Sequence, residues 1–250
     1  MKQSVIYALD FDGVLCESAL ETGISAWKAA ATIWDGFSTP LPSVEISEKF
    51  HQIRPVMGTG YEAILIIRLL NNGETVEAIM DDYTNKTQQV LDESNLSIDE
   101  LKKLFGETRD KWIKEDIQQW VEMNPLFPGI SEKLQNLSKQ GIWYIVTTKQ
   151  ERFVKKILEA NQIYLADENI FGLDRKKSKE TILIDLVSKH KEVTICFVED
   201  MLPMLRKVLK NDKLSSVKLF FAMWGYNTAQ DKRDAKNFDI KLIDRENFLT

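Results

Sequence analysis

The sequence predicts an α/β protein, a Rossmann-like three-layer parallel-sheet core with an inserted helical cap domain, and three observations lead there. Short β-rich runs at residues 5–11, 143–148, 193–198 and 218–224, with a weaker one at 240–243, are separated by helical patterns. Strand and helix in alternation indicate a parallel sheet covered on both faces. The interval 17–123 carries almost no strand signal, which is far more chain than a single crossover needs. NPLFPG at 124–129, with two prolines and a glycine, then marks re-entry into the sheet.

Taken in order, the first strand, VIYALDF, is an apolar run that ends on carboxylates. Helices are expected around 20–34, 43–53, 61–71, 75–95 and 98–123, the last interrupted at Gly106. Trp27 and Trp34, seven apart, read as one face of the first of these helices, packed in a core. Beyond the punctuation come helices at Ile130–Gln140, Glu151–Ala160 and Lys179–Lys189, each between two strand runs. The boundaries that follow are 1–16 and 124–250 for the core and 17–123 for the cap.

With 250 residues the chain can bury a sizeable core, and its 44% apolar and 28% charged residues are those of a soluble globular protein. A formal net charge of -5 and the absence of any long Lys/Arg cluster argue against nucleic acid as a partner. The densest basic run, 175–179, reads as a solvated loop unless something else asks for a cation there. No apolar stretch approaches the roughly 18 residues of a membrane span, and Asp10 interrupts the short apolar run near the start before it could serve as a signal peptide. Cys16 and Cys196 read as reduced thiols of a cytoplasmic protein, and His51 and His190 as surface or capping residues without zinc-ligand spacing.

In an open parallel sheet ligands bind beyond the carboxyl ends of the strands. Asp10 and Asp12 follow the first strand run, Thr147, Thr148 and Lys149 the second, and Glu199 and Asp200 the run at 193–198; Lys177 and Lys179 lie between. That set suits phosphoryl transfer from a monoester, which needs a nucleophile, a proton donor and positive charge around the phosphoryl oxygens. A carboxylate nucleophile such as Asp10 repels a dianion unless a hard cation intervenes, and Mg2+ is the natural one.

DFDGVL at 10–15, IVTTK at 145–149, RKKSKETIL at 175–183 and FVEDMLPML at 197–205 resemble, in order, the four motifs of the haloacid dehalogenase superfamily. PLFPGISEKL before the second motif is similar to its phosphoglycolate phosphatase-like and β-phosphoglucomutase-like branch, whose members carry a helical cap of the C1 type. The resemblance implies Asp10 as the nucleophile forming an aspartyl-phosphate and Asp12 as the acid/base. It further implies Thr147 as the holder of the transferred group, and Asp10, the Asp12 carbonyl, Asp200 and Glu199 around Mg2+. Either Lys177 or Lys179 fits the third motif, with Lys179 preferred because it opens the helical pattern. The true dehalogenases lack the second aspartate, so Asp12 disfavours dehalogenation. MLPML at 201–205 lacks the further acid that many relatives carry, and the Glu199–Asp200 pair resembles the variant in which both neighbours serve the metal.

The expected activity is therefore a phosphatase acting on a small phosphorylated metabolite, as monomer or homodimer, with no nucleic acid or membrane partner. A phosphomutase of the same fold and a silent phosphometabolite-binding protein are the alternatives. Substrate contacts are expected from Thr148 and Lys149 and, in the cap, from Arg54 beside the glycine-rich turn of IRPVMGTGYEAI; Lys149 reads equally as a solvent-facing cation at a helix start. WGYN at 224–227 either lines the same rim or packs the sheet edge.

Overall fold

The computed structural model describes residues 5–250 and divides the chain into two compact units, Met1–Glu17 with Pro125–Thr250, and Ser18–Asn124. The first is built on six parallel strands: β1 Val5–Leu9, β2 Tyr144–Val146, β3 Ile170–Phe171, β4 Thr194–Glu199, β5 Lys218–Ala222 and β6 Lys241–Ile243. Their order across the sheet is β3-β2-β1-β4-β5-β6. The chain thus builds outward from β1 to one side, then crosses back to continue on the other. Its topological switch lies at β1 and β4, and it is beyond the carboxyl ends at such a switch that open α/β sheets bind ligands.

Both faces of the sheet are covered, as near-continuous apolar strands require. On one face Ile6, Ala8, Tyr144, Val146, Ile195 and Phe197 pack with Ile182, Leu183 and Leu186 of helix Lys179–Lys189 and with Leu202, Leu205 and Val208 of helix Leu202–Leu209. The alternate strand residues Leu9, Ile145 and Val198 are buried as well. Helices Ile130–Gln140 and Glu151–Ala160 bury Ile130, Leu134, Phe153, Val154 and Ile157. β3 has only two residues, too few to show a periodicity, and no strand is expected there from the pattern. The segments that leave and re-enter this unit pair with each other: the Glu17 N–H donates to Pro125 O (2.9 Å) and the Phe127 N–H to Leu15 O (3.0 Å). Cys16 and Cys196 are both buried thiols.

The second unit consists of helices Ala19–Ala30, Val44–Ile53, Glu62–Asn71, Val76–Asp81, Tyr83–Ser94, Ile98–Glu115 and Ile117–Glu122. It has its own core, centred on Trp27, Phe50, Ile53, Ile64, Ile66, Ile67, Leu101 and Phe105. The first helix stops at Ala30, so Trp27 and Trp34 share that core but not one helix face. The last long helix runs unbroken through Gly106 and stops instead at Asp116, whose backbone (φ -155°, ψ 87°) is not helical and whose carboxylate caps the next helix through the Gln119 N–H (2.9 Å). A glycine inside a helix costs only about 1 kcal/mol, which burial offsets, whereas an aspartate competes for the backbone and ends the helix. Among the described residues no helix is long and apolar enough to cross a membrane.

Candidate active site

The ladder between β1 and β4 extends one step past Leu9, where the Asp10 N–H donates to Val198 O at 2.9 Å. This fixes Asp10 at the switch point, buried at the carboxyl end of the sheet. Beyond Asp12 the chain turns through Gly13 at φ +89°, and a Cβ there would overlap the Asp200 carboxylate. Glycine permits both the left-handed conformation and the close approach. Glu199 ends β4 and Asp200 follows it, both buried. One Glu199 oxygen accepts the Asp200 and Met201 N–H groups at 3.1 and 3.0 Å.

Lys179 supplies the cation. Ser178 caps helix Lys179–Lys189 by accepting the Thr181 N–H at 3.2 Å, so Lys179 is the first helical residue. Its Nζ bridges Asp10 Oδ1 and Glu199 Oε2, at 2.7 Å from each. Lys177, the other candidate, is exposed and pairs with Asp185 at 2.8 Å. Of the two lysines that fit the motif, Lys179 is thus the one that meets Asp10.

Asp10, Glu199 and Asp200 each present an oxygen within 4.8 Å of the others, in a buried setting suited to a metal ion. Burial first, then the Glu199 charge, pushes the Asp10 carboxyl up to about 7, with the Lys179 ammonium working against both. Burial pulls the Lys179 ammonium down, but the Asp10 and Glu199 charges outweigh it and hold its pKa above the usual lysine value. Burial and a neighbouring carboxylate both disfavour the ionised form of Asp10, and an added cation would favour it. Four carboxylates, those of Asp10, Asp12, Glu199 and Asp200, face two ammonium groups, those of Lys149 and Lys179, leaving an excess that a hard divalent cation with oxygen ligands would balance.

Thr147 continues β2, its N–H donating to Phe171 O at 2.9 Å, and is buried, while Thr148 beside it is exposed. Lys149 is buried too, and its Nζ meets Asp12 Oδ1 at 2.9 Å. It therefore does not face solvent. The segment 224–227 joins the rim: the Tyr226 N–H donates to Asp200 Oδ2 at 2.6 Å, its hydroxyl to Glu17 Oε1 at 2.8 Å, and the Asn227 amide to Asp200 O at 3.2 Å. Arg54 lies in the helical unit, buried, with Nη1 donating to Met57 O at 3.3 Å. There Glu62 holds the glycine-rich turn, accepting the Gly58 N–H (2.7 Å) and the Tyr83 hydroxyl (2.8 Å). Tyr226 lies in the WGYN segment that the sequence offers for this rim, whereas the Lys149–Asp12 pair has no spacing that would mark it, because it depends on which strands are neighbours.

No protein-family model and no curated protein matches the sequence. Solved structures do match over nearly the full length. A provisionally named phosphoglycolate phosphatase from Lactobacillus delbrueckii subsp. bulgaricus aligns with 100% of this chain and 97% of its own, at TM-score 0.61 and 14% identity. A predicted phosphatase from Clostridium acetobutylicum gives TM-score 0.59 and 16% identity, over 99% of this chain and 97% of its own. A haloacid dehalogenase-like family hydrolase from Streptococcus pneumoniae gives 0.53 and 17%, over 98% and 95%. The fold is that of the haloacid dehalogenase-like hydrolases, phosphatase-type members included, as the motifs imply.

Proposed function

We propose that the chain is a Mg2+-dependent phosphomonoester hydrolase that acts on a small phosphorylated metabolite through an aspartyl-phosphate. The observation that carries this reading is Lys179 bridging Asp10 and Glu199 at the carboxyl ends of β1 and β4, with Asp200 within metal-ligand reach. The phosphatase descriptions of structures sharing the fold support it.

Asp10, Asp200 and the main-chain carbonyl of Asp12 would hold Mg2+, with Glu199 completing the set while it anchors Lys179. When bound, the ion neutralises the phosphoryl oxygens and allows a carboxylate to approach them. An Asp10 oxygen then bonds to phosphorus as the ester P–O bond breaks, and Asp12 gives its proton to the departing oxygen. Next Asp12 takes a proton from water, whose oxygen attacks phosphorus, releasing phosphate and restoring the Asp10 carboxylate. Lys179 and the Thr147 hydroxyl hold the phosphoryl oxygens through both steps.

The unaltered protein should hydrolyse p-nitrophenyl phosphate with Mg2+ and lose this activity in excess EDTA, and Asp10→Asn should abolish it. Turnover retained by Asp10→Asn would overturn the nucleophile. Phosphate release from a metabolite panel, without isomerisation of sugar phosphates, separates a hydrolase from a mutase.

A further inference from the structure

Lys149 is the second buried cation of the site, and the sequence offers it only as a substrate contact or a helix-start cation. Its side chain is 1% exposed and pairs with an Asp12 side chain that is 16% exposed. The placement is built from the backbone outward. The Lys149 N–H donates to Thr147 Oγ1 at 3.1 Å, and its carbonyl accepts the Leu173 N–H at 3.1 Å. Gly172 passes so close to that carbonyl that a Cβ would collide with it. The chain is therefore held at both ends of the residue, and the ammonium reaches from the end of β2 across to the loop after β1, with the Phe11 ring centroid 6.0 Å away. A lysine taken so fully out of water must be matched by a partner of opposite charge, and here the partner is Asp12.

We propose that Lys149 is a positioning residue: resting on the phosphatase reading above, it holds the Asp12 carboxylate where the leaving oxygen departs. Asp12 has only its short side chain with which to reach that oxygen, and proton transfer requires heavy atoms within about 3 Å. An ammonium fixed at 2.9 Å on Oδ1 sets the rotation of the carboxylate. Two other tasks are open to a lysine here. It could grip the phosphoryl group directly, or it could merely support the fold. Either would affect every substrate alike, whereas positioning Asp12 matters in proportion to the proton that the leaving group needs.

The test compares two esters in Mg2+: 2,4-dinitrophenyl phosphate, whose phenolate departs without a proton, and the best-turned-over alkyl phosphate of a metabolite panel, whose alkoxide cannot. The quantity is kcat/KM, which includes steps only up to ester cleavage, so aspartyl-phosphate hydrolysis does not enter. For Lys149→Met, a fall of about 100-fold on the alkyl ester is expected, at the low end of what general acid catalysis contributes, against under about 5-fold on the dinitrophenyl ester. Because the ratio is taken within one variant, loss of folded protein cancels. Lys149→Arg should recover part of the alkyl activity. In an Asp12→Asn background, Lys149→Met should lower it little further, since the residue acts through Asp12. Equal falls on both esters, or a full additional loss in that background, overturn the proposal while leaving the phosphatase reading intact. Failure of the unaltered protein to turn over either ester overturns that reading, and the role of Lys149 with it.

Discussion

Asp10 is the residue on which charge and burial conflict most. Raised to about 7 from the usual 3.8 by burial and by Glu199, it holds a proton in the folded, metal-free protein across a pH range in which the unfolded chain has lost it. Folding there takes up protons, so stability contributed by the neutral carboxyl is fully present below about pH 4 and is lost as pH rises toward 7. A bound divalent cation reverses the preference by favouring the ionised form. In EDTA, Asp10→Asn should therefore raise the melting temperature at pH 8 and leave it little changed at pH 4. Mg2+ should stabilise the unaltered protein more at pH 8 than at pH 5. Calorimetry over both pH values reads each outcome, and an equal Mg2+ shift at the two would contradict the assignment. Asp10, Asp12, Thr147, Glu199 and Asp200 were legible because a carboxylate or hydroxyl directly after an apolar strand run is a local pattern. Lys177 and Lys179 stand two apart in one basic run, and only the helix start at Ser178 separates them. Lys149 reads from sequence equally as a substrate contact and as a helix-start cation, and its pairing with Asp12 is not legible because nothing local says that β2 lies beside β1.

Among the elements, strands and helices with a full apolar pattern were legible, and those set by one or two residues were not. β3 is anchored by Ile170 and Phe171 alone, and the long helix of the second unit is ended by the backbone of a single aspartate. Asp116→Ala removes the cap on Gln119 and should lower stability by about 1 kcal/mol, read as a shift in the urea midpoint with unchanged slope. The turn after β1 is more demanding. Gly13 combines a φ of +89° with direct contact to Asp200, so alanine there meets both backbone strain, on the order of 1–3 kcal/mol, and a displaced carboxylate. Gly13→Ala should thus lower the melting temperature and also weaken Mg2+ binding in a thermal-shift titration. A lower melting temperature with unaltered Mg2+ affinity would mean that the turn relaxes without moving Asp200.

Across the whole molecule, the polar interior is divided between two units that solve the same problem differently. The sheet unit gathers buried carboxylates in excess of its cations, as a metal-binding centre requires. The helical unit instead pairs a buried carboxylate with a buried guanidinium. Arg109 grips Glu21 with two nearly parallel bonds, Nε to Oε1 at 2.8 Å and Nη2 to Oε2 at 2.6 Å, and Ser25 and Trp120 donate to the same carboxylate. This joins helices Ala19–Ala30 and Ile98–Glu115 in a pairing that nothing in the hydrophobic pattern announces, since the partners are 88 residues apart. Breaking such a pair from one side leaves a charge buried and typically costs about 3–5 kcal/mol, whereas replacing both partners with apolar residues is often neutral. Arg109→Met alone should therefore lower the unfolding midpoint steeply, and Glu21→Leu with Arg109→Met should recover most of the loss. Trp27, Trp34, Trp112 and Trp120, four of the six tryptophans, belong to this unit, so intrinsic fluorescence reports its unfolding directly. If the double substitution were as unstable as the single one, the hydrogen bonds from Ser25 and Trp120 to Glu21, rather than the ion pair, would be what holds the two helices together.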